Sequence, residues 1–229
     1  MSDFSNRFGN KFLSSNGYIL EKGIDTSPLH LFGGSSWKVI DDEPYEGGPI
    51  LLFVLDLKDP KLSSFAFEGL DEFPIVSYLN CDAWLAEQTY QIKPEEKTIY
   101  LKSKGKEVGY ILPDEDKLPN PLPEVELSLR NMSNSEYPID ENSYWKNTDD
   151  FLGGESFVRV AGMPLWLQEP RDIKCSCGKE MVYVMGLGYE GWNEPFKLLS
   201  DEPFCFGEGA LYAFYCSECF ELKVISQTS

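Results

Sequence analysis

Cys175-Ser176-Cys177-Gly178-Lys179-Glu180-Met181-Val182-Tyr183-Val184-Met185-Gly186-Leu187 and Gly209-Ala210-Leu211-Tyr212-Ala213-Phe214-Tyr215-Cys216-Ser217-Glu218-Cys219 are the two stretches that decide the fold of this chain. Each holds a short apolar run rich in branched and aromatic residues, opened by glycine, which reads as a buried strand. One cysteine pair precedes the first strand and the other follows the second. Laid antiparallel side by side, the start of one strand meets the end of the other, and both pairs reach the same end of the sheet. That is a zinc-ribbon arrangement. Four thiolates placed tetrahedrally at about 2.3 Å satisfy a zinc ion. Gly178, directly after the first pair, lets the backbone bend tightly around sulfur. The expected metal ligands are therefore Cys175, Cys177, Cys216 and Cys219, and the expected cofactor is zinc in a structural role. Four protein ligands leave no open position for a reacting water. The first pair is C-x-C, one residue shorter than the usual C-x-x-C knuckle, so Cys205 stands as an alternative ligand. Reduced core thiols or a disulfide are the competing readings, and a cytosolic compartment disfavours the disulfide.

Further out, the same pattern recurs in the first half of the chain. Gly48-Pro49-Ile50-Leu51-Leu52-Phe53-Val54-Leu55-Asp56-Leu57 matches the strand after Gly178, and Pro74-Ile75-Val76-Ser77-Tyr78-Leu79-Asn80-Cys81 matches the strand ending at Cys216. Gly33-Gly34-Ser35-Ser36-Trp37 lies upstream of the first strand, and Ala161-Gly162-Met163-Pro164-Leu165-Trp166 lies upstream of its counterpart. An internal duplication accounts for all three matches. Gly47 then stands in the place of Cys177 and Trp84 in that of Cys219, so the first-half site is degenerate, with Cys81 a lone buried thiol.

The predicted class is mainly β, an α+β chain with little helix. It is an internally duplicated β-sheet architecture with a zinc-ribbon-like C-terminal half. Residues 1–112 form the N-terminal β-rich half, 113–150 an acidic, Pro-rich connector, and 151–229 the C-terminal β-rich half. Pro119, Pro121 and Pro123 forbid helix in the connector, and Glu124–Leu129 alternates like one short strand. The best helix candidate is Asp82–Gln88, with Asp82 as cap. Thr98–Lys102 and Glu107–Leu112 read as a hairpin around Ser103–Lys106.

The chain has 229 residues and a formal charge of -18, from 38 acids against 20 bases. Phosphate binding needs the opposite sign, so neither nucleic acid nor an anionic membrane surface is an expected partner. A basic protein is. No apolar run approaches the roughly 18–20 residues of a membrane span, and MSDFSNRFGNKFLSS lacks a signal-peptide core, so the reading is a soluble cytoplasmic protein. The sequence contains a single histidine, His30, within an apolar strand-like run, where it reads as a core residue and not a base. Nucleotide-binding glycine loops, H-E-x-x-H and G-x-S-x-G are all absent. The expectation is no enzyme and no catalytic residue.

Gly162-Met163-Pro164-Leu165-Trp166, the knuckle from Cys175 to Met181, and Gly207-Glu208-Gly209-Ala210-Leu211-Tyr212-Ala213-Phe214-Tyr215-Cys216 together resemble the YwqG-like family of bacterial proteins. The resemblance covers about residues 155–222, and in the first half Leu31–Gly34 and Pro49–Leu57. It implies a duplicated β-rich fold and, because relatives are often encoded near polymorphic toxins, an immunity protein that neutralises a basic toxin. Candidate partner contacts are Asp41, Asp42, Glu43 and Glu46, then Asp114, Glu115 and Asp116, with Tyr45 or Trp192 as aromatic anchors. A chaperone for a basic client, by analogy with the programmed-cell-death-2 type of ribosomal-protein chaperone, is the alternative reading. A carboxylate-dependent enzyme comes behind both.

Overall fold

A computed structural model describes residues 17–22, 30–42, 47–65, 67–192, 197–199 and 202–228. Its strands are β1 (Gly17–Lys22), β2 (His30–Phe32), β3 (Lys38–Ile40), β4 (Ile50–Asp56), β5 (Glu72–Ser77), β6 (Gln88–Lys93), β7 (Thr98–Lys104), β8 (Val125–Asn131), β9 (Val158–Ala161), β10 (Val182–Leu187), β11 (Gly209–Cys216) and β12 (Glu221–Thr228). All twelve belong to one sheet, ordered β3-β7-β6-β12-β11-β10-β9-β1-β8-β2-β4-β5. The chain is mainly β, as its sequence predicts.

β11 shows why its residues must be apolar throughout. Every one is buried, and successive side chains of a strand leave opposite faces. Leu211, Ala213 and Tyr215 enter the main core. Ala210, Tyr212, Phe214 and Cys216 enter a second core on the other face. A strand covered on both sides cannot alternate polar with apolar, so it reads as a continuous hydrophobic run.

The main core forms because the sheet curls until it is nearly closed. Leu52 and Ile75 of β4 and β5 meet Met185, Leu187, Leu211, Ala213 and Val224 across it. Phe73 sets its edge against Tyr215, centroids 4.9 Å apart. No ladder joins the edge strands β3 and β5 among the described residues; side chains lace them instead. Trp37 Nε1, just before β3, donates to Glu72 Oε2 of β5 at 3.0 Å. Lys97 Nζ reaches the same carboxylate at 2.9 Å. At the far end the Tyr78 hydroxyl donates to Asp41. Pro74 sits within the edge strand β5, where a missing N–H donor is tolerated.

The second core is roofed by α1 (Glu141–Phe151) and the segment 162–181. Trp166 stacks on Phe214 at 5.9 Å and lies 4.7 Å from Tyr212. The Tyr212 and Tyr144 hydroxyls donate to the Leu165 and Trp166 carbonyls at 2.5 and 3.0 Å. Buried Gln227 accepts from the Gln168 N–H at 2.9 Å and donates to the Glu169 carbonyl at 3.1 Å.

Three local expectations are corrected. Asp82–Leu85 is a single 3₁₀ turn with Cys81 at the cap position. Asp82 instead accepts the Gly109 N–H at 3.0 Å and pairs with Lys106 at 2.6 Å. Among the described residues, the α-helix lies in the stretch read as connector. Asp140 caps it by accepting the Ser143 N–H at 2.8 Å, and Ser143 Oγ returns a bond from the Asp140 N–H at 3.0 Å. That box uses serine where the usual signal is Glu or Gln. The same stretch supplies β8, which lies between β1 and β2. Finally, β7 pairs with β6 and not with 107–112, which contributes only the bridge from Ile111 to Cys81.

The matched stretches of the two halves share local geometry. β2-β4-β5 and β9-β10-β11 are each consecutive antiparallel neighbours. Successive left-handed residues close the first strand of each triplet: Gly33 and Gly34 (φ 68° and 77°), Ala161 and Gly162 (φ 57° and 69°). The middle strand of each triplet carries a register shift, at Leu51/Phe53 in one and Tyr183/Met185 in the other. Among the described residues no helix is long and apolar enough to cross a membrane.

His30 is fully buried. Its Nδ1 accepts the Asp56 N–H at 3.0 Å, which leaves Nε2 to donate to Asp59 at 3.1 Å. Burial, outweighing the Asp59 carboxylate, lowers its pKa below the ordinary 6.5. The unfolded chain then binds a proton more readily than the folded one. Stability is full above pH 6.5 and declines as pH falls through the lower folded value. The sole imidazole makes this directly measurable: its Cε1–H NMR signal should titrate with a midpoint below pH 6.5. A midpoint at or above 6.5 contradicts the burial argument.

Candidate metal centre

The first knuckle is a tight hairpin. Lys174 and Glu180 bridge antiparallel, the Cys175 N–H donates to the Lys179 carbonyl at 2.9 Å, and the Gly178 N–H returns to the Cys175 carbonyl at 2.9 Å. Ser176-Cys177-Gly178 is thus a three-residue loop, and Gly178 takes the left-handed conformation (φ 86°) that such a loop requires. This is how C-x-C serves as a knuckle: Cys175 is the last paired residue and Cys177 the tip.

The second knuckle is the β11–β12 turn. Cys216 pairs with Glu221, and Ser217–Phe220 close the loop, with Phe220 left-handed (φ 52°). β6 clamps it from the side. Gln91 Nε2 donates to the Cys219 carbonyl at 2.7 Å, and the Ile92 N–H donates to the Phe220 carbonyl at 2.8 Å.

β10 pairs antiparallel with β11, Val182 opposite Tyr215, so both knuckles arrive at one end of the sheet. The sulfurs of Cys175, Cys177, Cys216 and Cys219 all lie within 4.8 Å of one another. Cys177 Sγ and Cys216 Sγ are 3.9 Å apart, and none of the six cysteines is in a disulfide. A tetrahedron of sulfurs with metal bonds of about 2.3 Å has edges of about 3.8 Å, so the four can hold a metal ion with little movement. Cys175 and Cys216 belong to the second core, Cys219 is half-buried and Cys177 is exposed.

Electrostatics favours a cation here. Burial pushes the Cys175 thiol up to about 12, whereas the Lys179 backbone N–H, then Cys175 itself, hold Cys177 down at about 7. Thiols this close do not all ionise beside one another, and a divalent ion removes that conflict by drawing thiolate charge to itself. Around the sulfurs, Lys179 pairs with Glu218 across the two tips. Glu221, 1% exposed, accepts from the Ser176 N–H, the Ser176 hydroxyl and Lys102 Nζ at 3.1, 2.9 and 2.7 Å. Burial alone would raise its pKa; the Lys102 ammonium and Ser176 donors outweigh that and hold it at about 2. An ion held by all four sulfurs would have a filled tetrahedral shell and would act as a cross-link.

The remaining expected residues fall elsewhere. Cys205 is exposed and not part of the sulfur group, so it does not replace a ligand. Cys81 is buried beside Tyr78 and Ala83, and burial raises its thiol pKa. In the matching first-half position, a Cβ on Gly47 would lie 3.3 Å from the Asn80 carbonyl oxygen. There the Asn80 side chain accepts the Leu118 N–H at 2.8 Å and donates to the Leu118 carbonyl at 2.7 Å. Asp41 meets Tyr78, Asp42 is exposed, and Glu43, Tyr45 and Glu46 lie outside the described residues. Asp114, Glu115 and Asp116 form an exposed 3₁₀ turn, with Asp114 bonded to Lys117 at 2.7 Å. Tyr78 holds Asp41 of the first run, and Asn80 holds Leu118, two residues past the second. Trp192 is 79% exposed. Tyr110, absent from the sequence reading, is exposed on the strip that pairs with this segment, its carbonyl accepting the Asp82 N–H at 2.9 Å.

Gln91, Lys102 and Glu221 are the site residues that sequence reasoning missed. Only Glu221 left a signal, a lone acid directly inside the apolar run Phe220–Ile225.

Comparison of the chain with protein-family models, curated proteins and solved structures gives no match.

Elemental analysis of the purified protein should find a stoichiometric divalent ion. Cys216→Ser should lose most of it, and Cys205→Ser should retain it. Stoichiometric metal in Cys216→Ser, or its loss in Cys205→Ser, contradicts the four-sulfur assignment.

Proposed function

We propose that this protein is a non-enzymatic binding scaffold, stapled by a structural zinc ion, that recognises a basic protein partner in the cytoplasm. Its most direct form is a bacterial immunity protein that neutralises a basic toxin by contact. The carrying observation is the charge of -18 combined with the exposure of Asp42 and of the Asp114, Glu115 and Asp116 turn. A concentrated negative field steers a basic partner and selects against acidic ones. Tyr110, 57% exposed just before that turn, is the aromatic anchor such an interface uses.

Further features support the reading. Soft thiolates in a tetrahedral set favour zinc over magnesium or calcium. His30 has both ring nitrogens engaged, so it offers no general base. The shared strand triplets, left-handed pairs and bulges support a duplication in which one half kept its metal clip. The Gly162–Trp166, Cys175–Met181 and Gly207–Cys216 motifs support kinship with the YwqG-like proteins, and through them the immunity role.

The test is calorimetric titration against the product of the neighbouring gene, at low and high salt. Binding should weaken at least about tenfold as salt rises to about 0.5 M. The charge reversal Asp114→Lys/Glu115→Lys/Asp116→Lys should weaken it by a similar factor, mostly by slowing association. Tight binding indifferent to both salt and charge reversal, or a neighbour that is neither bound nor basic, counts against the proposal. A ribosomal client bound instead would assign the scaffold to chaperoning.

A further inference from the structure

We propose that Glu221 is a positioning residue of the metal centre, one that sets the short first knuckle in place so that its two sulfurs meet those of the second. This rests on the metal reading above and adds a residue outside the sulfur set.

The argument begins with the hairpin. A three-residue loop closes with two backbone bonds, from the Cys175 N–H and the Gly178 N–H. Neither uses the N–H of Ser176, the residue between the two cysteines. That donor goes to Glu221 Oε1 at 3.1 Å, and the Ser176 hydroxyl goes to Glu221 Oε2 at 2.9 Å. One carboxylate therefore holds both the backbone and the side chain of the residue that joins the first two ligands.

Glu221 is itself fixed to the second knuckle. It is the ladder partner of Cys216 and lies two residues beyond Cys219. The same side chain thus belongs to one knuckle and grips the other, and it defines their separation before any ion binds. The third contact, Lys102 Nζ at 2.7 Å, comes from β7 and supplies the countercharge. Four thiolates and a divalent ion already sum to two negative charges. Burying a further carboxylate against them is costly unless its placement is needed and it is paired. A purely packing role at a position 1% exposed is met more cheaply by an apolar residue.

The experiment uses the full chain and cobalt(II) as the probe, because thiolate-bound cobalt gives intense charge-transfer and tetrahedral ligand-field bands. Affinity is read by competition with a chromophoric chelator, and thermal unfolding is followed with and without metal. Glu221→Gln should lower cobalt affinity about 10- to 100-fold, the range for lost outer-shell partners, while keeping tetrahedral bands. Its melting temperature should fall more in the metal-loaded state than in the metal-free one. Lys102→Met, at a side chain 40% exposed and so tolerant of change, should weaken binding in the same direction by a smaller factor. If Glu221→Gln does not fold, Lys102→Met and Ser176→Ala carry the test. Affinities within about twofold of the unmodified protein, with equal loss of melting temperature in both states, overturn the proposal and leave Glu221 a structural residue. Absence of cobalt bands in the unmodified protein removes the metal reading itself, and this proposal with it.

Discussion

β11 is a strand wanted on both of its faces, and the rest of the structure follows from that constraint. Its odd residues complete the main core inside the curled sheet, and its even residues found a second core outside. The first is closed by strands, which supply their own hydrogen bonds. The second is closed largely by the segment 162–181, which pairs with itself only around the first knuckle. That cover needs separate fastenings, and they are visible: Trp166 against Tyr212 and Phe214, two tyrosine hydroxyls, Gln227, and the sulfur group at its far end. An ion there would pin the cover where hydrophobic contact gives out at the surface, marked by exposed Cys177.

Much of this was legible because it is written locally. Strands β4, β5, β10 and β11 announce themselves as apolar runs bounded by glycine and proline, and cysteine spacing beside two of them places the sulfur pairs at one sheet end. What was hidden depends on distant partners. α1 buries Asn147 and Thr148 alongside Tyr144 and Phe151, so its inner face lacks a clean apolar stripe. Asn147 is there for tertiary reasons: it bonds the Ser135 carbonyl at 3.0 Å and buried Arg159 at 3.3 Å. β8 announces itself by the alternation over 124–129, yet nothing local says that β1 and β2 enclose it. Glu221 resisted detection for the same reason, since its donors lie 45 and 119 residues away in sequence.

The acidic segments illustrate how a fold converts composition into a surface. Acids scattered along a chain keep a protein dissolved and do little else. Here Tyr78 bonds Asp41 of one run, and Asn80 bonds Leu118 just past another, both from one short stretch after β5. Through the alternating strand directions, that stretch lies at the opposite end of the sheet from the sulfur cluster.

The position of β1 sets the order in which the protein can be completed during synthesis. Its first residues pair with Asn131 on one side and with Val160 and Ala161 on the other, all more than a hundred residues further along. As the chain leaves the ribosome, the N-terminal strand has no partner until most of the protein has emerged. The last two cysteines come later still. A topology this rich in distant pairings folds slowly and keeps sticky edges uncovered meanwhile. For a nascent chain of this design, a dense negative charge is also a safeguard against its neighbours on the polysome.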